Sequence, residues 1–461
     1  MDHLKNSLSL RKILLFQIDS LLILGSCYLV LAVKFNGQIP INWLTFFEEA
    51  VFVTIFCQLV FFISDLYDVE GRLTLGEMIW RIVLAFTICL LLLSVVYLIF
   101  PNLELSKGLF LYFILTSLVL VCFWRVLFGW VIVNVCPRKD LLIIGTGNLA
   151  RLIAQVIINR PYSQYHLKGF INSNPQNPEN SILGLTVWGI DEDYIKGIAN
   201  QKVNTLIVAI SQRRENFPLE FLLNCKLKGI DILDCPNFYE RITGKILIQD
   251  LRPSWLIFSS GFKQRRFYHL TKQILDTICA VIALVISSPL MLLVAVLVKL
   301  DSPGPVLFKQ ERAGENGKSF TLIKFRSMAH NAEEETGPVW AMDNDSRVTG
   351  VGKIIRKLRL DELPQIINVL RGEMSFVGPR PERPFFIEKL QKLIPYYNQR
   401  LMVKPGITGW AAVKYQYSSS VESALEKLQY DLYYIKNRSL ILDAQIVLQT
   451  FHVIISGKGS R

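Results

Sequence analysis

Five long apolar runs constrain this 461-residue chain more than any other feature. Four lie before Cys136, at about residues 13–34, 43–64, 80–100 and 109–135, and the fifth spans about 274–298. Each approaches the roughly 20 residues that a helix needs to cross a bilayer. The rest of the chain has ordinary polarity. A purely cytosolic protein is therefore excluded, and so is a bare channel or transporter. The first run continues past the length of a signal-peptide core and has no small-x-small cleavage site, so no cleavable leader is expected.

Lys5, Arg11 and Lys12 precede the first run, and Arg138 and Lys139 follow the fourth. An even number of spans with basic ends places both ends of this block in the cytoplasm. Asp19, Glu48, Glu49 and Arg125 fall within or beside the spans, where ionisable groups are either functional or hold helices together. Helix-to-helix pairing is the reading adopted. The net charge of +12 gathers beside apolar segments, where it would meet anionic headgroups or a phosphorylated substrate. Nucleic acid is not an expected partner. None of the eight cysteines forms a CxxC pair, and the five histidines are scattered, so neither a disulfide framework nor a histidine metal site is expected.

Polar character begins at Pro137. Asp140–Gly145 reads as a short apolar strand, followed by Thr146-Gly147-Asn148-Leu149-Ala150 and a helical pattern to Ile158. Strand, GxGxxA and helix open a Rossmann-like unit, in which glycines let a phosphate approach a helix N-terminus. The next strand ends in Asn172-Ser173-Asn174, without the acid that would hold a ribose hydroxyl. A structural or regulatory α/β domain is expected rather than a dinucleotide site.

The fifth run has Lys263, Arg265, Arg266 and Lys272 before it and Lys299, Lys309 and Arg312 after it. Basic residues on both flanks disfavour translocation of either end. Ser287-Ser288-Pro289 stands at its midpoint, and a proline there removes a backbone donor that serines can compensate. Ser288 and Pro289 are expected to break a re-entrant hairpin at about 270–300.

Beyond it, two strand-like stretches, 306–312 and 320–326, flank Asn316-Gly317, a strong hairpin signal. Lys324 and Arg326 share one face of the second, either as a solvated face or as an anion site. In Arg356–Leu370, the spacing of Leu363, Ile366, Ile367 and Leu370 predicts a helix with Pro364 in its first turn. That puts Asp361 at or next to the N-cap, beside Glu362. These acids are either capping residues or, among Arg356, Arg359, Arg371 and Arg380, a carboxylate pair in a cationic pocket suited to phosphoryl transfer. Gly378-Pro-Arg-Pro-Glu382 and Lys404-Pro-Gly-Ile-Thr-Gly-Trp410 read as rigid turns able to fix phosphate or base contacts.

From about Phe267 onward the chain resembles the bacterial polyprenyl-phosphate sugar-1-phosphate transferases, the monotopic phosphoglycosyl transferases. The strings are Ser288-Pro289, KFRSM at 324–328, RKLRLDELPQIINVLRGEMSFVGPRPE at 356–382, KPGITGW at 404–410 and YDLYYIKN at 430–437. The N-terminal part resembles that of the large-form members, and Gly337-Pro-Val-Trp-Ala341 resembles the exopolysaccharide subgroup.

The fold class implied is a mixed membrane protein in three parts. These are a four-helix transmembrane bundle (1–136), a Rossmann-like α/β domain (137–255) and an α+β catalytic domain carrying the re-entrant hairpin (256–461). The resemblance implies transfer of sugar-1-phosphate from a UDP-sugar to undecaprenyl phosphate, releasing UMP, with Mg2+. It makes Asp361 the nucleophile of a covalent intermediate, Glu362 its acid/base partner, and both the metal ligands. Lys324, Arg356 and Arg380 become phosphate-site residues, and Asp431 an important position without an assigned role. It further implies the bacterial inner membrane, a cytoplasmic catalytic face, a homo-oligomer and downstream glycosyltransferases as partners. Glucose or galactose is the sugar the resemblance favours, with N-acetylated sugars left open.

Two other classes were weighed. A membrane-tethered dehydratase or epimerase would need a TyrxxxLys dyad, and Tyr268 and Lys272 match formally, but no second glycine loop precedes them. A non-enzymatic nucleotide-sensing regulator leaves the arginine-surrounded Asp361-Glu362 unexplained.

Overall fold

A computed structural model describes residues 10–34, 36, 43–64, 66–67, 75–99, 109–134, 139–159, 165–172, 181–189, 203–210, 218–249, 258–259, 261–262, 266–329, 347–415 and 420–455. The exopolysaccharide-like string at 337–341 lies outside them. The chain divides into two compact units, Met1–Thr243 and Gly244–Arg461.

The first unit begins with four long helices: α1 (Leu10–Lys34), α2 (Trp43–Ile63), α3 (Leu75–Ile99) and α4 (Leu109–Asn134). α1 contacts α2 and α4, α2 contacts α3, and α3 contacts α4. Val53, Cys57, Phe61, Ile82, Phe86 and Val121 are buried between them, while Leu21, Ile55, Leu91 and Phe123 point outward. α1, α3 and α4 are long and apolar enough to cross a membrane. Asp19 and Arg125, both buried, form an ion pair of 2.5 Å. Arg125 also donates to the Leu66 carbonyl at 2.6 Å and lies over the Tyr67 ring. Tyr67 donates to Gln58, whose amide reaches Ser20 at 2.8 Å. These two charges therefore hold helices together, as expected. Glu48 is exposed on α2.

The same unit contains a six-stranded sheet ordered β3-β4-β2-β1-β5-β6. Its strands are β1 (Lys139–Ile144), β2 (Tyr165–Ile171), β3 (Ser181–Ile182), β4 (Leu185–Trp188), β5 (Thr205–Val208) and β6 (Asp231–Asp234). All pairings are parallel except β3 with β4. α5 (Asn148–Ile158), α6 (Leu219–Leu227) and α7 (Cys235–Thr243) accompany the sheet. β1, the central strand, has an almost continuous buried apolar run, as a strand covered on both faces requires. Gly145 turns the chain into α5 at φ +115, and a Cβ there would meet the Ala209 carbonyl at 2.6 Å. The glycine loop thus has a packing requirement of its own.

The second unit is built on one helix, α8 (Arg266–Asp301), of 36 residues with Pro289 inside it. The break expected at Ser288-Pro289 does not divide it into two helices. Pro289 cannot donate to the carbonyl four residues back, that of Val285. Ser288 Oγ donates to that carbonyl instead, at 2.8 Å. One face of α8 packs through Ala280, Val294 and Val298 on the domain, and the other exposes Ile274, Val285, Ile286, Leu292 and Leu300.

β7 (Leu307–Ala313) and β8 (Ser319–Phe325) form the expected antiparallel hairpin. Asn316 and Gly317 both adopt positive φ at its turn. α9 (Gly350–Lys357), α10 (Gln365–Leu370), β9 (Ser375–Val377), α11 (Pro384–Leu393), β10 (Gly406–Thr408), α12 (Trp410–Lys414), α13 (Val421–Lys436) and α14 (Leu440–Ile455) complete it. β9 and β10 pair in parallel, so closely that a Cβ on Gly406 would lie 2.1 Å from the Gly378 nitrogen. Trp410 is buried, donates to the Gly244 carbonyl at 2.7 Å and stacks on Tyr433. In KPGITGW, then, Gly406 and Trp410 have packing requirements of their own.

Arg125→Met would strand the buried Asp19 carboxylate and is expected to cost about 3 kcal/mol of stability. Thermal unfolding in detergent reads this, and Asp19→Leu combined with Arg125→Met should recover most of the loss. Equal losses in single and double variants would contradict the ion pair as the cause.

Candidate active site

Arg359 adopts φ 58 and ends α9 in a sharp turn. Leu360–Glu362 then close a 3-10 turn, with Leu363 N donating to Leu360 O at 3.2 Å. α10 starts only at Gln365, with Pro364 as its N-cap residue. The sequence placed Asp361 at or next to that N-cap. The extra turn moves it off, and Asp361 does not cap α10.

Asp361 and Glu362 are 9% and 8% exposed. Glu362 Oε1 meets Arg380 at 2.7 Å, Lys324 at 3.3 Å and Arg359 at 3.6 Å. One carboxylate oxygen thus faces three cations from three separate segments. Burial by itself would raise the Glu362 carboxyl, but Arg380, Lys324 and Arg359 overcome it and hold the group well below the usual carboxylate range. Asp361 behaves in the opposite way. Burial raises its carboxyl and the Glu362 charge raises it further, only partly offset by Lys324, Arg380 and Arg359. Its Oδ1 is buried with no hydrogen-bond partner among the described residues. Adjacent carboxylates are thereby differentiated, one charged and compensated, the other biased towards its neutral form.

The Arg380 turn is held unusually firmly. Its four consecutive carbonyls accept from three parts of the unit: Pro379 from Gly406 N at 2.9 Å, Arg380 from Arg400 at 3.0 Å, and, both from the end of β7, Pro381 from Arg312 at 3.0 Å and Glu382 from Ala313 N at 2.9 Å. Asp431, buried on α13, pairs with that same Arg400 at 3.0 Å. Asp431 therefore acts through Arg400 on the backbone that presents Arg380. It does not touch the carboxylate pair.

Lys324 and Arg326 part company. Arg326 donates to the Val298 and Ser302 carbonyls at 3.2 and 2.6 Å, closing the C-terminal end of α8. Ser288 and Pro289 lie within α8. Arg356 is half-buried on α9, its side chain without an ion pair or hydrogen bond among the described residues, and Arg371 is exposed. The structure does not bring either to Glu362. Sequence reasoning placed Arg359 among the pocket's arginines without a phosphate role, and it did not single out Arg400. Arg359 had a signal in its place within RKLRLDE; Arg400 had none. Tyr268 and Lys272 both donate to Asp443 of α14, each at 2.9 Å, and so tie α8 down instead of forming an open dyad.

Fold and site define a membrane-associated protein with a cation-compensated carboxylate pair in its second unit. Residues 267–457 match the family described as bacterial sugar transferase, and 63–236 match one described as CoA-binding domain. A UDP-N-acetylgalactosamine-undecaprenyl-phosphate N-acetylgalactosaminephosphotransferase of Aeromonas hydrophila is 45% identical over 241 residues, covering 52% of this chain and 56% of that one. A UDP-glucose:undecaprenyl-phosphate glucose-1-phosphate transferase of Xanthomonas campestris pv. campestris is 38% identical, covering 58% and 56%. The exopolysaccharide production protein PSS of Rhizobium leguminosarum bv. phaseoli is 39% identical, covering 41% of this chain and 97% of that one. This chain belongs to the bacterial sugar transferase family. It spans little more than half the length of the first two relatives.

Glu362→Gln removes the negative neighbour of Asp361 and leaves three cations beside it. The Asp361 carboxyl should then lose its proton at lower pH. The infrared carboxylic-acid band of carbon-13-labelled aspartate that Asp361→Asn removes would report it. A band titrating unchanged, or at higher pH, would contradict the coupling.

Proposed function

We propose that this protein transfers a sugar-1-phosphate from a UDP-sugar to undecaprenyl phosphate and releases UMP. It would do so at the cytoplasmic face of the bacterial inner membrane, as the first membrane step of glycan assembly. The observation that carries this reading is the sugar-transferase match over 267–457, which includes the Asp361-Glu362 site.

In the first step, the Asp361 carboxylate attacks the sugar-linked phosphorus. The bond to the UMP phosphate breaks, UMP leaves, and the phosphosugar remains on Asp361 as an acyl phosphate. In the second step, an oxygen of undecaprenyl phosphate attacks the same phosphorus and Asp361 departs as carboxylate. Lys324, Arg359 and Arg380 offset the repulsion between anions. The donor's phosphates compete with Glu362 for these cations. Glu362, once released, regains the basicity to take the proton that Asp361 or the acceptor phosphate must lose. Asp361 and Glu362 are also the residues that would hold Mg2+. Among the described residues no group of three metal-binding side chains converges. Two carboxylates completed by substrate phosphates and water are a usual magnesium site, and the unpartnered Asp361 Oδ1 suits it. When bound, the ion would neutralise phosphate charge.

Helices α1–α4 are read as a transmembrane bundle, 137–255 as a Rossmann-like domain, and α8 as entering and leaving the membrane on the cytoplasmic side. At about 1.5 Å per residue α8 is ~54 Å long, well beyond the ~30 Å hydrocarbon core. Its first turns are held by Asp443 and its last by Arg326, within the same unit. Ends held by one unit favour re-entry over a straight crossing, and re-entry requires the axis of the undivided α8 to bend, for which Pro289 is the weak point. A homo-oligomer and downstream glycosyltransferases are the proposed partners. The relatives' names include both N-acetylgalactosamine and glucose, so the donor sugar is a matter for assay.

Purified protein given undecaprenyl phosphate and a panel of UDP-glucose, UDP-galactose and their N-acetylated counterparts should release UMP from at least one. Release from none would overturn the reading. Because Asp361 must ionise to attack, activity should fall on the acid side at a pH above the ordinary carboxylate value of about 3.9. Lys324 stabilises the Asp361 charge, so in Lys324→Met the residual activity should fall away at higher pH. An acid limb that stays put or moves to lower pH would contradict the nucleophile assignment.

A further inference from the structure

The first turns of α8 border a cavity of about 50 Å³ that the proposed chemistry does not use. One water needs about 10–15 Å³, so there is room for a larger polar group. Its charged lining is Lys272, Asp276, Glu315, Lys404 and Arg438, with His269 beside them. Lys272 is committed, pairing with Asp443 at 2.9 Å and standing 4.0 Å from Asp276. Lys404 makes no side-chain ion pair or hydrogen bond among the described residues. Arg438 donates to the Ile435 carbonyl at 3.3 Å and faces the Tyr268 ring, with no carboxylate partner among them. Two cations without an ion-pair partner among the described residues, Lys404 and Arg438, therefore face the cavity together with two carboxylates, Asp276 and Glu315, of which Asp276 stands 4.0 Å from the shared Lys272.

The setting is apolar on its outer side. Phe267, Leu270 and Ile274 are exposed on the same turns of α8 that supply His269 and Lys272 to the cavity. A phosphate held by Lys404 and Arg438 could keep an attached acyl chain along that face. The cavity is also distant from Asp361. Leu363, two residues after Asp361, packs in the clusters formed on α8 positions 280–284 and 291–298, whereas the cavity meets α8 at 268–276. The middles of 268–276 and 280–284 lie about ten helical residues apart, or roughly 15 Å along α8. The cavity therefore meets a different stretch of α8 from the residues that pack beside Asp361.

We propose that the cavity between α8, Lys404 and Arg438 binds the phosphodiester headgroup of a bulk membrane phospholipid. This site is distinct from the one where the acceptor lipid reacts, and it rests on the reading of α8 as membrane-seated. The bound lipid would seat the start of α8 at headgroup level and so set the height of the domain on the bilayer.

Native mass spectrometry of the full chain in detergent tests this with four probes: phosphatidylglycerol, diacylglycerol of the same chains, undecaprenyl phosphate and inorganic phosphate. One phosphatidylglycerol should be retained, with at least tenfold weaker retention in Lys404→Gln/Arg438→Gln and near-normal retention in Lys404→Arg. Equal retention by the double variant, or retention of diacylglycerol as strongly, would overturn the proposal. Displacement by undecaprenyl phosphate at equimolar concentration would assign the cavity to the acceptor, and displacement by inorganic phosphate to a free anion; either overturns it. Labelling of Ile286→Cys by a water-soluble maleimide in phosphatidylcholine proteoliposomes as fast as in the unfolded protein, read at that peptide, would instead remove the membrane reading of α8.

Discussion

Two neighbouring carboxyl groups cannot both be buried as anions without compensation, and the second unit is organised around that constraint. A buried charge costs several kcal/mol unless it is paired and hydrogen-bonded. Glu362 meets the requirement with three cations on one oxygen. Asp361, one residue earlier, has no hydrogen-bond partner on Oδ1 among the described residues and rises towards its neutral form. Each cation arrives by a different device: Lys324 from a strand, Arg359 from a positive-φ turn, and Arg380 from a turn whose carbonyls are individually held. Asp431 belongs to this arrangement at one remove, through Arg400. Phosphates entering such a site would find cations already oriented, at the cost of displacing Glu362.

The long helix α8 connects the same site to the membrane question. Its inner face packs under β8 and α10, the elements that carry Lys324 and follow Glu362. Arg326, two residues beyond Lys324 on the chain, closes the helix's final carbonyls. Lys324 and the end of α8 therefore share one short stretch of backbone. A displacement of the helix would be felt at the cation.

Much of this was legible in residue order. Asn316-Gly317 set the hairpin because only positive-φ residues fit its turn, and the apolar spacing marked α10 and the long helices. Asp19, Glu48, Glu49 and Arg125 read together as helix-to-helix contacts, because isolated charges do not survive between apolar helices; which of them pair was not legible, and the structure pairs Asp19 with Arg125. Other features were not legible, for physical reasons. The Asp361 turn depends on Arg359 adopting φ 58, which no propensity scale favours for arginine. Ser288 compensates Pro289 through a hydroxyl contact that sequence permits but does not dictate, so an expected division became one helix. The glycines and tryptophan of KPGITGW looked like ligand contacts because close backbone packing and phosphate approach both demand residues without bulk. Arg356 shared a motif with Asp361, yet motif membership fixes neighbourhood along the chain, not convergence in space.

The central claim is that Asp361, rather than its compensated neighbour, is the group that becomes covalently bonded to phosphorus. Intact-protein mass spectrometry tests it most directly, after brief mixing of the full chain with a UDP-sugar in the absence of undecaprenyl phosphate. The account predicts a mass gain of one sugar phosphate, mapped by peptide analysis to Asp361, discharged when undecaprenyl phosphate is added, and absent in Asp361→Asn. An adduct on Glu362, or UMP release that requires both substrates and never leaves an adduct, would contradict it.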